Sequence, residues 1–133
     1  MKILITGSEG FIGKHLINHL KDKHEIRSFD RKNNEELTNW QQVKDIFLEF
    51  NPDIVVYLAS NISNDIDWCL EDILALQNML KISQMRKIKK FIFTSSAAVY
   101  GNNYPKTIPI NPYGIAKLQC EQWCNYYNEL GLN

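Results

Sequence analysis

The stretch that most constrains how this 133-residue chain can fold is Thr6-Gly7-Ser8-Glu9-Gly10-Phe11-Ile12-Gly13. It follows the apolar run Ile3-Leu4-Ile5 and opens a pattern of helical spacing that ends near Leu20. A strand, a glycine turn and a helix in that order form a device for holding a dinucleotide. Gly7 permits the tight turn, Gly10 lets the backbone approach a pyrophosphate, and Gly13 lets the helix pack closely on the strand. The helix N-terminus then offers unpaired N–H groups to the anion. Glycines at this spacing also occur in ordinary turns; their position between strand and helix gives them meaning.

The alternation continues along the chain. Lys2 to Ile5 reads as a fully buried strand, and Phe11, Ile12, His15, Leu16, His19 and Leu20 recur at helical spacing. Glu25 to Phe29 is a second short strand, closed by Asp30 and the polar loop Arg31-Lys32-Asn33-Asn34. Trp40, Val43, Ile46, Phe47 and Phe50 mark a second amphipathic helix, with Thr38 or Asn39 as its N-cap and Asn51-Pro52 as its break. The continuous apolar character of Asp53 to Ala59 predicts a third strand in a sheet covered on both faces. Trp68, Leu70, Ile73, Leu74, Leu76, Leu80 and Ile82 predict a long helix over Asp65 to Met85 with a broad apolar face. Phe91 to Thr94 supplies a fourth buried strand, ending in Ser95-Ser96. Gly101 to Pro109 reads as a loop, and Asn111-Pro112 begins a last helix, as N-cap and first-turn proline, that runs to about Glu129.

Strands alternating with helices imply a parallel sheet with right-handed crossovers. The expected fold is therefore α/β, a Rossmann-type doubly wound sheet of about four or five strands, forming one cofactor-binding domain over residues 1–133. The expected spatial order is second, first, third, fourth strand, with a switch point at the carboxyl ends of the first and third. Gly7 to Gly13, Asp30, Leu58 to Asn61 and Ser95-Ser96 all fall there. Asp30 lies near the ~20-residue offset at which such folds place the carboxylate that accepts hydrogen bonds from the adenosine ribose. An acid there favours NAD, because it repels a 2′-phosphate. Arg31 and Lys32 leave NADP open, because a neighbouring cation accommodates that phosphate.

Composition narrows the partners. Lys plus Arg number 15 and Asp plus Glu number 15, so no bulk field draws nucleic acid or an anionic membrane. The one basic run, Arg86, Lys87, Lys89 and Lys90, reads as a solvated corner between a helix and a strand. No apolar run is long enough to span a bilayer or resembles a signal peptide. Three cysteines, Cys69, Cys120 and Cys124, without such a signal predict buried or half-buried thiols in a reducing cytoplasm rather than a disulfide framework. Cys120 and Cys124 have no matching pair elsewhere, and His15 and His19 have no partner residues, so no metal site is expected.

A second constellation lies near the end. Tyr113 and Lys117 are four apart at a helix start and so share one face. A phenol normally loses its proton near pH 10; an adjacent ammonium and a helix N-terminus both stabilise the phenolate. Tyr113 is thus a candidate general base and acid for a substrate hydroxyl.

These residues carry a resemblance. The chain resembles the first half of an extended short-chain dehydrogenase/reductase of the NAD-dependent sugar epimerase/dehydratase kind, the group that includes UDP-glucose 4-epimerase. The matching stretches are Thr6 to Gly13, Asp30, Asn51 to Ala59, Phe91 to Gly101 and Pro112 to Lys117, in family order. The resemblance implies that Ser96 hydrogen-bonds the reacting sugar hydroxyl, that Tyr113 moves its proton, and that Lys117 holds the nicotinamide ribose while lowering the Tyr113 pKa. It further implies that Glu36-Leu37 lies beside the adenine, with Glu where Asp is more usual, and that Leu58-Ala59-Ser60 lines the cofactor cleft. Near Asp72 the family usually shows Asn.

Family members continue beyond the position of Asn133 into another strand and a lobe that grips a nucleotide-sugar substrate. On that basis Phe91 to Thr94 is expected to be an edge strand with an apolar flank, and self-association is expected there or through the helices at Asp65 to Met85 and Asn111 to Glu129, as family members commonly dimerise. The function expected is NAD-dependent epimerase or dehydratase chemistry on a nucleotide sugar, with this chain as the cofactor-binding part. The alternatives are a non-catalytic NAD-binding scaffold and an NADPH-dependent keto-sugar reductase.

Overall fold

A computed structural model describes residues 1–133. Four strands, β1 (Lys2–Thr6), β2 (Glu25–Phe29), β3 (Ile54–Tyr57) and β4 (Lys90–Phe93), alternate with four helices, α1 (Phe11–Leu20), α2 (Trp40–Phe50), α3 (Ile66–Met85) and α4 (Pro112–Glu129). The sheet is wholly parallel in the order β2-β1-β3-β4, the order expected from the sequence. Crossing from β2 back over β1 opens the crevice between the carboxyl ends of β1 and β3, where Thr6 stands opposite Tyr57.

Period-two alternation divides the sheet between two cores. Ile3, Ile5 and Val56 face α1, packing on Leu16, Ile17 and Leu20. Leu4, Val55 and Tyr57 face the other way, into the larger core with Val43, Phe47, Leu76, Met79 and Leu80 of α2 and α3. Tyr57 lies between Phe91 and Phe93, at ring-centroid distances of 6.1 and 6.0 Å. The caps follow the sequence: Asn39 takes Gln41 and Gln42 N–H for α2, Asp65 takes Asp67 and Trp68 N–H for α3, and Asn111 takes Gly114 N–H ahead of Pro112.

Three expectations need correction. The sheet is not covered on both faces throughout: α1 does not extend over β4, so Ile92, opposite Val56 in register, is exposed. The apolar face of α3 is two faces, with Leu76, Met79, Leu80 and Ile82 buried while Ile66, Trp68, Leu70 and Leu74 stand in solvent. Phe11 and Ile12 match the helical stripe of α1 but are exposed, since only Leu16, Ile17 and Leu20 of that helix pack on the sheet; Phe11 packs edge-on against His15 at 4.7 Å. In addition, the polar stretch after β2 is not plain loop: Arg31–Asn33 forms a short 3-10 turn capped by Asp30, and a second such turn, Ala97–Tyr100 capped by Ser96, precedes the loop that begins at Gly101. β4 is the sheet edge among the strands, and its Phe91 N–H already donates to Asn133 C=O at 2.6 Å.

Candidate functional site

The carboxyl ends of β1, β2 and β3 enclose a cleft of about 480 Å³. Its lining includes Gly7, Gly10, Asp30, Arg31, Glu36, Leu37, Leu58, Ala59 and Ser60, all expected near a cofactor. Phe11, Ile12, Gly13, Ser96, Tyr113 and Lys117 do not line it.

Steric necessity accounts for the glycines. Gly7 has φ +67°, and a Cβ there would stand 2.8 Å from Ala59 N. A Cβ on Gly13 would come within 2.4 Å of Gly7 O and 2.7 Å of Ser8 Cα, so Gly13 brings α1 against the glycine loop itself rather than against the strand. Gly10 is different: a Cβ there would meet only Gly7 O, at 3.1 Å, and the side that opens on the cleft is clear. Thr6, fully buried, accepts the Ala59 N–H on its Oγ1 at 3.3 Å and ties the end of β1 to the segment after β3.

Asp30 joins two of the cleft's walls. Its Oδ2 accepts the Glu9 N–H at 2.8 Å and its Oδ1 accepts the Lys32 N–H at 2.9 Å. Each oxygen keeps a second lone pair for a further donor. Leu37 is fixed from α3, where Asn78 Nδ2 donates to its carbonyl at 2.9 Å. Asp72 clamps the other wall: its carboxylate accepts Ser60 Oγ–H at 2.6 Å, the Asn61 N–H at 2.9 Å and Asn61 Nδ2 at 3.0 Å.

The second group lies beside the ends of β3 and β4. Lys117 is buried, its Nζ donating to Thr94 C=O at 3.1 Å and standing 4.9 Å from the Phe93 ring centroid and 5.9 Å from that of Tyr113. Burial pulls its pKa below the ordinary lysine value, partly opposed by the Asp72 carboxylate. Ser96 Oγ accepts the Ala98 N–H at 3.2 Å, and its own O–H remains a free donor. Gly114 lets α4 reach this segment, since a Cβ there would stand 2.5 Å from Ala98 O. Burial pushes the Cys120 and Cys124 thiols, on the same helix, up to about 12 and about 11, and Cys69 is raised too.

Residues 3–133 match the NAD dependent epimerase/dehydratase family. The chain belongs to that family. It is 32% identical over 142 residues to the GDP-6-deoxy-D-talose 4-dehydrogenase of Aggregatibacter actinomycetemcomitans, covering 96% of this chain and 48% of that protein. The Thermotoga maritima UDP-glucose 4-epimerase with UDP-glucose superposes at a TM-score of 0.90 with 28% identity, over 99% of this chain and 53% of that one. The Thermus thermophilus UDP-glucose 4-epimerase complex with NAD gives 0.89 with 26% identity, over 99% and 52%. The chain thus spans about half the length of the relatives it matches.

For this NAD-dependent family the fit of the residues to a dinucleotide can be tested on the structure. Helices α2, α3 and α4 each carry a side-chain N-cap, whereas α1 begins at Gly10 with no side-chain cap. Its first-turn donors are therefore left for an anion. Ser8 Oγ, fully buried in the same turn, has no hydrogen-bond partner. Ser8 does not line the cleft; the uncapped start of α1 and the clear side of Gly10 are the features that fit a pyrophosphate.

Thr6, Asn78, Gly114 and Asp72 also shape the site, in roles that the sequence pattern does not mark. Gly114, within the Pro112 to Lys117 stretch, carried the one local signal, a glycine inside a helical pattern. The partners of the others lie 11 to 53 residues away along the chain.

Proposed function

We propose that the chain forms the cofactor-binding domain of an enzyme that acts on a nucleotide sugar by NAD-dependent epimerase or dehydratase chemistry. The observation that carries this reading is the joining of two groups across one sheet: a glycine and carboxylate cleft at the switch point, and Ser96, Tyr113 and Lys117 beside the adjacent strand ends. Phe11, Ile12 and Gly13 would hold the pyrophosphate with backbone N–H groups, while Gly7 and Gly10, whose own N–H groups are taken by Phe29 and Gly7 carbonyls, would line the space it occupies. Asp30 would take the adenosine ribose, Glu36 and Leu37 the adenine, and Leu58 to Ser60 the middle of the molecule. When bound, NAD supplies a hydride acceptor and donor. Tyr113 would take the proton of the sugar hydroxyl on its phenol oxygen, Ser96 would hold that hydroxyl through its free O–H, and the buried Lys117 ammonium would stabilise the phenolate.

UDP-glucose in the Thermotoga maritima relative supports a nucleotide sugar as the substrate class. Self-association through the exposed apolar faces of α3 and α4, which carry Ile66, Leu70, Leu74, Ile115 and Trp123, belongs to the same proposal. The unpaired thiols support a reducing compartment. The second reading, cofactor binding without turnover, draws on the cleft lining, which omits Ser96, Tyr113 and Lys117.

Calorimetric titration with NAD and NADP, followed by assays with UDP-, GDP- and dTDP-sugars, tests both readings. NAD binding is expected, with Tyr113→Phe keeping it and lowering any turnover by about 10²–10⁴-fold. NAD binding with no turnover on any nucleotide sugar favours the second reading. Absence of NAD binding overturns both.

A further inference from the structure

Arg31 follows Asp30, where the 2′-position of an adenosine ribose held by Asp30 would lie, and a cation there ordinarily reads as a partner for a 2′-phosphate. The structure gives its guanidinium other partners. Nε donates to Glu36 Oε2 at 3.1 Å, a terminal nitrogen donates to Glu71 Oε2 at 3.3 Å, and Cζ stands 5.1 Å from the Trp68 ring centroid. Glu36 belongs to the segment between β2 and α2, whereas Trp68 and Glu71 belong to α3. Arg31, Glu36 and Glu71 all line the cleft, so the Arg31–Glu71 bond crosses its mouth from one wall to the other.

Half-exposed ion pairs of this kind are individually weak. Here two carboxylates and an aromatic face converge on one planar group, which fixes its direction. The surrounding field has the wrong sign for a phosphate. Asp30, Glu35, Glu36, Glu71 and Asp72 line the cleft against two cations, Arg31 and Lys32. A phosphomonoester adds about −1.5 to −2 charges at neutral pH. To meet it, Arg31 must leave both carboxylates, which uncovers them beside the incoming anion. A 2′-hydroxyl makes no such demand.

We propose that Arg31 is a specificity-determining latch: held by Glu36, Glu71 and Trp68, it closes the adenosine end of the cleft over NAD and turns away 2′-phosphorylated dinucleotides. This rests on the dinucleotide reading of the cleft and deepens it. It makes two residues of α3, some 40 positions along the chain, determinants of cofactor choice. Lys32 forms no ion pair and is the competing phosphate ligand, which the test must separate from Arg31.

The test measures Kd for NAD and for NADP by calorimetry at fixed ionic strength, with circular dichroism confirming that each variant is folded. The readout is the ratio of the two constants. The wild-type chain is expected to favour NAD by at least tenfold. Glu71→Gln, which frees one side of the guanidinium, is expected to shift the ratio about tenfold toward NADP, and Trp68→Leu to shift it the same way by a smaller factor. Adding Arg31→Ala to Glu71→Gln should cancel the gain, whereas adding Lys32→Ala should not. An unshifted ratio in Glu71→Gln with NAD still bound, or a gain that depends on Lys32 and not on Arg31, overturns the latch and leaves the dinucleotide reading standing. A wild-type chain that binds neither nucleotide overturns both.

Discussion

The two ends of the sheet are held by different chemistry. At the amino ends, most polar groups are paired with one another, His24 Nδ1 ahead of β2 being a buried exception: the Asp53 carboxylate accepts the Lys2 N–H and the Lys89 ammonium, both at 2.8 Å, and the Asp53 backbone donates to Lys2 C=O and accepts from Lys89 N–H. At the carboxyl ends, close backbone approach does the holding and polar groups are left over. Gly7 and Gly13 leave no room for a Cβ, α1 starts without a side-chain cap, and Ser8 Oγ is buried without a partner. A face that pairs most of its polar groups gains stability, whereas a face that keeps backbone donors free can bind an anion. Changes at the carboxyl face should therefore disturb ligand binding, and changes at the amino face should disturb stability alone.

The strongest test of this contrast is Gly13→Ala. Its methyl group would stand 2.4 Å from Gly7 O and 2.7 Å from Ser8 Cα, and backbone atoms on both sides of the contact have no flexible end to yield. A cost of about 3 kcal/mol or more is expected, together with loss of NAD binding, since any relaxation must move the glycine loop off α1. Chemical denaturation and calorimetry measure the two effects. A variant with wild-type stability would mean that the loop is not pinned by this contact, and the contrast between the faces would lose its carboxyl half.

Lys117→Met sharpens the contrast within the carboxyl face. Burial depresses the Lys117 pKa, so the folded state holds this proton less tightly than the unfolded chain, whose value lies near 10.5. The penalty for the buried charge is fully present below the folded pKa and is relieved as pH rises through it toward the unfolded value. Removing the charge at pH 7 should leave the melting temperature unchanged or raise it by roughly 2–4 °C. NAD affinity should fall about tenfold, the equivalent of one lost hydrogen bond to a charged group. A large fall in melting temperature would make Lys117 a prop for Thr94 rather than a residue kept for a ligand.

How much of this was legible in the sequence follows from where each determinant lies. The glycine turn, the four strands and the Asn111-Pro112 start of α4 depend on neighbours within a few residues, and the strand order, which pairs Ile3 with Ile54, follows from the fold that the glycine turn signals, so all could be read. Phe11, Ile12, Trp68 and Leu70 fit helical periodicity yet stand in solvent, because periodicity records which residues share a face and not whether another element covers it. The 3-10 turn at Ala97–Tyr100 depends on a single Ser96 cap and leaves no periodic trace. The Asp72 clamp and the partners of Arg31 join residues far apart in the chain through side-chain geometry, on which local spacing is silent.

The smallest effect is expected at the amino face. The Lys89 ion pair, followed by the Lys2 N–H, holds the Asp53 carboxyl below its ordinary value of 3.8. A carboxylate with a depressed folded pKa contributes stability that is present above the unfolded value and is lost as pH falls through the folded one. Asp53→Asn should therefore melt slightly lower than wild type at pH 7, as the loss of a solvent-screened ion pair allows. The two melting curves should converge as pH falls from the ordinary value of 3.8 through the lower folded one, where the wild-type carboxylate takes up its proton and no longer differs in charge from the amide. NAD affinity should not change, because β1, β3 and the Lys89 corner meet at the end of the sheet opposite the cleft. Thermal melts at several pH values and a single NAD titration decide the matter. A change in NAD affinity with Asp53 would show that strand register set at the amino ends is transmitted to the glycine loop, and the two faces would then have to be treated as one.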